Sequence, residues 1–156
     1  MQEATRTDFG LLLAQAFNRY VEHLHRGLAD RGFSDLRPSF GLALRALHER
    51  PRTLTALAGE LGVTKQAAAK VVGELEGRSL IEREPSPDDG RSTLLRLSRR
   101  GRSLVAAAIG IGTGVECDLA RELGDDAGAR LRAALERLAY DPPWPDEPPA
   151  RARRVW

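Results

Sequence analysis

The chain has 156 residues, 42% of them hydrophobic and 29% charged, an ordinary balance for one soluble domain able to bury a real core. Its formal net charge of +2 is too small to name a partner, and a single cysteine excludes an intramolecular disulfide framework. The first ten residues lack the basic start of a secretory leader, and no apolar stretch reads as approaching the roughly 20 residues of a membrane span, so a reducing, cytoplasmic setting without membrane is expected.

The charge is unevenly spread. Residues 50–103 hold 11 Arg and Lys against 7 Asp and Glu, whereas 104–156 hold 7 against 9. Of the 24 basic residues only Lys65 and Lys70 are lysines, and both fall in the positive middle segment. A positive excess confined to one segment suits a surface that meets phosphates.

In chain order, residues 8–31 read as one long helix. Phe9, Leu13, Phe17, Tyr20, Leu24 and Leu28 recur every three or four residues, with Asp8 as N-cap and Gly32 as stop. A loop at 33–37 leads to a short helix that starts at Pro38 and turns Phe40, Leu44 and Leu47 inward. Pro51 ends it, and Arg52 to Leu54 can add a short strand beside a later hairpin.

The segment 53–80 organises the rest. Leu54, Leu57, Ala58 and Leu61 form a helical stripe, and Gly62 offers the left-handed residue that ends it. Val63 plugs the gap and Thr64 caps a second helix, which predicts a helix-turn-helix unit. On that second helix Ala68, Val71, Val72 and Leu75 face inward. Thr64, Lys65, Gln66, Ala67, Ala69 and Lys70 form the candidate DNA-reading face. Small alanines allow close approach to base edges, glutamine pairs with adenine, and lysine pairs with guanine or phosphate. The strings IEREP, SPDDGRS and TLLRLS then read as strand, turn, strand, a wing with a charged tip. The expected fold is mainly α with a small β-hairpin, a winged helix-turn-helix.

Ser98 can cap a third long helix, 98–123, with Gly110, Gly112 and Gly114 in its middle, and Asp125 can cap a last one to 139 with Leu131, Leu135 and Leu138 on one stripe. The remainder, 140–156, is a Pro- and Arg-rich tail. The Gly-Ile-Gly-Thr-Gly run at 110–114 has no preceding strand and no following Lys-Ser/Thr, so it is not a phosphate loop. His23 and His25, two apart, point to different sides of a helix, and with His48 and Cys117 they read as ordinary side chains rather than a metal site. No cofactor is implied. No nucleophilic triad or carboxylate pair argues for an enzyme.

This organisation resembles the MarR family of transcriptional regulators over residues 8 to about 139. The residues carrying the resemblance are LTALAGELGVTKQAAAKVVGELEGRSLIER and PSPDDGRSTLLRLSRRG, above all Asp89-Gly90-Arg91-Ser92, which matches the family's D-x-R-[ST] wing string and is followed by L-[ST]-x-x-G. The resemblance implies double-stranded DNA as partner, Arg91 reaching the minor groove with Asp89 orienting it, and a homodimer held by helices 8–31, 98–123 and 125–139. It further implies a regulator, most often a repressor, relieved by a small and often aromatic effector. Phe17, Tyr20, Phe40, Leu44 and His48 are the candidate lining of that effector's pocket. Two departures stand out. Ser79 replaces the glycine usual after the recognition helix, and the three mid-helix glycines suggest a bend or a close helix crossing. Rival readings on the same scaffold are a redox- or metal-responsive regulator using Cys117 and a protein-interaction module that no longer binds DNA. Related redox sensors carry their reactive cysteine near the N-terminus, which argues against the first.

Overall fold

In the computed structural model, which describes residues 8–86 and 92–140, the chain forms two compact units that divide between Leu36 and Arg37. The first is built on α1 (Phe9–Ala29). Asp8 caps it as expected, its carboxylate accepting the Leu11 N–H at 3.1 Å. Gly32, at φ 81°, ends the turn beyond it, with the Leu28 carbonyl accepting from both Arg31 and Phe33. The predicted stripe exists but only Leu28 is fully buried, while Phe9, Phe17 and Tyr20 stay exposed.

The second unit is organised around α2 (Pro38–Glu49), whose Phe40, Ala43, Leu44, Ala46 and Leu47 are all buried. Around it pack α3 (Leu54–Leu61), α4 (Lys65–Gly77), the strands β1 (Ile81–Pro85) and β2 (Thr93–Leu97), and the start of α5 (Arg99–Leu123). The last helix, α6 (Asp125–Tyr140), packs on α5. Leu57, Val72, Leu75, Leu80 and Leu95 complete the core, each buried side chain of this size contributing about 1.5–3 kcal/mol.

Of the short strand expected at Arg52 to Leu54 only Arg52 pairs, as an isolated bridge exchanging backbone hydrogen bonds with Leu95 at 3.0 and 2.7 Å, and Leu54 already begins α3. Its side chain is the surprise. Only 8% exposed, it donates to the Ala46 carbonyl at 3.1 Å and meets Glu49 at 3.2 Å and Glu60 at 3.0 Å. One guanidinium thereby ties the end of α2 to α3 beneath the sheet. No spacing rule marks an arginine beside Pro51 as internal.

The helix stop left in question at Ser79 is present, at a conformational cost. α4 ends at Gly77, and Ser79 takes φ 57°, the left-handed region where a Cβ crowds the carbonyl. We expect Ser79→Gly to stabilise the chain by about 0.5–1 kcal/mol, the relief of strain exceeding the added freedom of the unfolded chain. Thermal unfolding at matched protein concentration checks this, and an unchanged or lowered Tm contradicts it.

Ser98 does more than cap α5. Its hydroxyl accepts the Gly101 N–H at 2.9 Å and donates to the Ser79 carbonyl at 2.6 Å, while its own N–H donates to the Leu80 carbonyl at 3.0 Å. The helix start is thus fastened to the chain leaving α4. Gly101 makes the approach possible, because a Cβ there would lie 1.9 Å from the Leu80 oxygen.

Two sequence expectations for α5 need correcting. At Gly110 and Gly114 of this helix an added Cβ meets nothing within 4 Å, so within the described residues neither marks a close crossing. The close crossing lies at Gly128 of α6, where a Cβ would sit 3.4 Å from Ala120. The helix is also long and apolar enough to cross a membrane by length and composition, contrary to the reading of no such stretch. Alanines and glycines lengthen the uncharged run between Arg102 and Glu116 without looking like an apolar block.

Candidate nucleic-acid interface

The helix-turn-helix is assembled by local chemistry at each joint. Thr53 caps α3 by accepting the Ala56 N–H at 3.2 Å. Gly62 ends α3 at φ 64°, and the Val63 N–H returns to the Ala58 carbonyl at 3.1 Å. Thr64 then opens α4, accepting the Ala67 N–H at 3.2 Å. The hydroxyl of Thr64 is therefore engaged in capping the helix.

On α4 the inner row is Ala68, Val72 and Leu75, all fully buried, with Val71 half-buried beside them. The turn of the helix then requires Lys65, Gln66, Ala67, Ala69 and Lys70 to lie outward, and all five are exposed. Among the described residues neither lysine is held in an ion pair, so both ammonium groups are available to an anion.

The wing is the antiparallel pair of β1 and β2, in register from Ile81 opposite Leu97 to Pro85 opposite Thr93. Opposed residues share a face. Ile81, Leu95 and Leu97 are accordingly buried, while on the other face Arg96 bridges Glu82 at 2.9 Å and Glu84 at 2.8 Å. The outermost described link is the Ser86 N–H to the Ser92 carbonyl, 2.8 Å. Ser92 is half-buried there. Asp89 and Arg91, the expected groove contact, lie outside the described residues.

One basic pair was missed by sequence reasoning. Arg83 of β1 grips Glu76 of α4 with Nε to Oε1 at 2.5 Å and Nη2 to Oε2 at 3.2 Å. The hydrogen bond that Arg83 donates to Glu76 pushes the Arg83 pKa above its ordinary value, against a smaller opposing effect of desolvation. The only sequence signal is charge complementarity seven residues apart across a predicted helix end. Of the arginines opening α5, Arg102 donates to the Leu97 carbonyl at 2.9 Å and Arg99 is exposed.

The candidate effector residues differ in exposure. Phe40 and Leu44 are sealed in the core at 1% and 3% exposure, and His48 is exposed. Phe17 and Tyr20 are exposed on α1. An open apolar groove of about 420 Å³ lies elsewhere, between α5 and α6, lined by Cys117, Ala120, Leu131 and Leu135 among others. Arg132 spans it, paired with both Glu116 and Glu136. Cys117 is exposed there.

Comparison with known proteins assigns this arrangement. The model of the MarR family matches residues 34–92, from the loop before α2 to the start of β2. The transcriptional regulator HosA of Escherichia coli O111:H- is 30% identical over 105 residues, covering 67% of this chain and 74% of the relative. The chain belongs to the MarR family. It is a DNA-binding transcriptional regulator with a winged helix. Among solved structures, the transcriptional repressor CouR bound to a 23-mer DNA duplex is 31% identical, with a TM-score of 0.65 over 85% of this chain and 92% of that one. CouR from Rhodococcus jostii RHA1 bound to p-coumaroyl-CoA, 23% identical, shares the fold with a TM-score of 0.61 over 90% and 97%. In this MarR-family chain the β1–β2 hairpin is the wing.

Proposed function

We propose that this regulator is a repressor that binds a pseudo-palindromic duplex site as a homodimer and releases it when a small, often aromatic ligand binds. The observation that carries the reading is the exposed face of α4, small and cationic, with Lys65, Gln66, Ala67, Ala69 and Lys70 clear of the core. Each recognition helix enters a major groove, and Arg91 of each wing, oriented by Asp89, enters the flanking minor groove. Phosphate contacts supply affinity, and Gln66 with its neighbours supplies choice of sequence.

The dimer is supported by apolar surface that one chain leaves in water. Phe9 and Leu12 of α1, Ile109 of α5, and Leu131 and Leu135 of α6 are between 39% and 64% exposed. Large exposed apolar faces of this kind mark association surfaces. The ligand reading draws on two solved structures named CouR, one a repressor bound to DNA and the other, from Rhodococcus jostii RHA1, bound to p-coumaroyl-CoA. A ligand that favours one lobe spacing over another shifts DNA affinity by its own preference between the two states.

The test is binding of the purified protein to genomic fragments, beginning with DNA upstream of its own gene, at two salt concentrations. Tight, salt-sensitive, sequence-selective binding by a dimer is expected, with Arg91→Ala weakening it by about tenfold or more. Weak binding equal for all sequences rejects the regulator reading, and an unaffected Arg91→Ala removes the wing contact from it.

A further inference from the structure

We infer that the Glu76–Arg83 pair is a positioning clamp that fixes the angle between the recognition helix and the wing, and so the spacing at which the two meet successive grooves. The inference rests on the reading that α4 and the wing contact one duplex together.

The register of the hairpin explains why Arg83 sits where it does. Ile81 and Arg83 share the inner face of β1, opposite the buried Leu97 and Leu95. Ile81 is still inside the core. Two residues on, the strand has left it, and Arg83 is 47% exposed. At that point β1 itself contributes no buried apolar side chain, and the guanidinium closes two hydrogen bonds on the last turn of α4. A fork of this kind fixes direction as well as distance, unlike a single contact.

The pair's exposure makes it a poor source of stability, since surface ion pairs typically contribute little. Its mechanical value is larger. Leu80 and Ile81 anchor the base of the wing, and Arg83 supplies a second tether one pleat further out. From Ile81 to Ser86 the strand extends roughly 16 Å, so a 10° hinge at the base moves Ser86 by roughly 3 Å. That exceeds the few tenths of an ångström within which a hydrogen bond to DNA keeps its geometry.

Direct electrostatics and positioning make opposite predictions for the helix partner. Glu76→Gln removes a negative charge near DNA and should tighten binding if Arg83 is merely a phosphate ligand held back by Glu76. A clamp predicts the reverse. The experiment measures affinity, flank protection in a hydroxyl-radical footprint and thermal stability for the full chain, for Glu76→Gln, for Arg83→Gln, and for the reversed double variant Glu76→Arg with Arg83→Glu. We expect each single variant to lose about tenfold in affinity together with its flank protection, at an unchanged melting temperature, and the reversed pair to recover most of both. Tighter binding by Glu76→Gln overturns the clamp in favour of a phosphate contact. Failure of the reversed pair to recover also overturns it. A wild-type footprint without flank protection overturns the wing reading and the clamp with it, whereas a protected wild type with an unaltered Glu76→Gln overturns the clamp alone.

Discussion

Gly101→Ala should destabilise this protein by about 3 kcal/mol or more, the largest effect expected of any single methyl group in the chain. The added Cβ would fall 1.9 Å from the carbonyl oxygen of Leu80, an overlap that no rotamer relieves because the obstacle is backbone. Neither side has room to yield. The Leu80 carbonyl accepts the Ser98 N–H at 3.0 Å, and the Ser98 hydroxyl caps α5 through Gly101 itself. Displacement of the helix start therefore breaks its cap and uncovers Leu104 and Val105, both buried. For a chain of this size the loss corresponds to a fall in Tm of roughly 6–12 °C. Gly110→Ala in the same helix is the control, since open space surrounds that position and helix propensity favours alanine by about 0.8–1 kcal/mol. Thermal melts of the two variants at one concentration decide the matter. Equal stability of Gly101→Ala and wild type would refute the close contact, and a loss at Gly110 would place a second chain against it.

The glycine also shows how far the sequence could be read. The string Leu-Ser-Arg-Arg-Gly was visible as a family feature, and Ser98 was legible as a cap because capping is decided within a few residues. The need for glycine at 101 was not, because the atom that forbids a Cβ is Leu80, twenty-one residues away and on another element. The same division runs through the fold. The caps at Asp8, Thr64 and Ser98, the left-handed Gly62 and the inward row of α4 depend on local spacing, and all stand where the sequence placed them. Arg52 under the sheet and Arg83 on Glu76 depend on tertiary neighbours, and neither was foreseen. Ser79 lies between the two cases. Its departure from glycine was noticed, but only the φ of 57° shows that the turn is kept and strained rather than rebuilt.

The second large effect concerns DNA. Replacing Lys65 and Lys70 together by alanine should weaken operator binding by roughly 100- to 1,000-fold at 0.1 M salt, since a dimer would lose four cations and each phosphate contact contributes about 0.9 to the salt slope. The fold should be unaffected, because both side chains are exposed and Ala68, which holds the helix to the core between them, is untouched. The slope of log affinity against log salt is the decisive quantity. A shallower slope with an unchanged melting temperature supports phosphate contact by these lysines, and an unchanged slope removes them from the interface. Gln66 offers the contrasting case, an uncharged group on the same face, whose effect should fall on the choice among sequences rather than on salt dependence.

Restricting lysine to α4 also has a chemical consequence. Apart from the amino terminus, Lys65 and Lys70 carry the only primary amines in a chain whose other cationic side chains are guanidinium or imidazole. An amine-selective reagent therefore modifies the proposed DNA-reading face of α4, where both lysines lie. Isotope-labelled methyl groups placed on those two nitrogens would give a pair of resonances whose response to duplex, or to a candidate ligand, reports directly on the recognition helix.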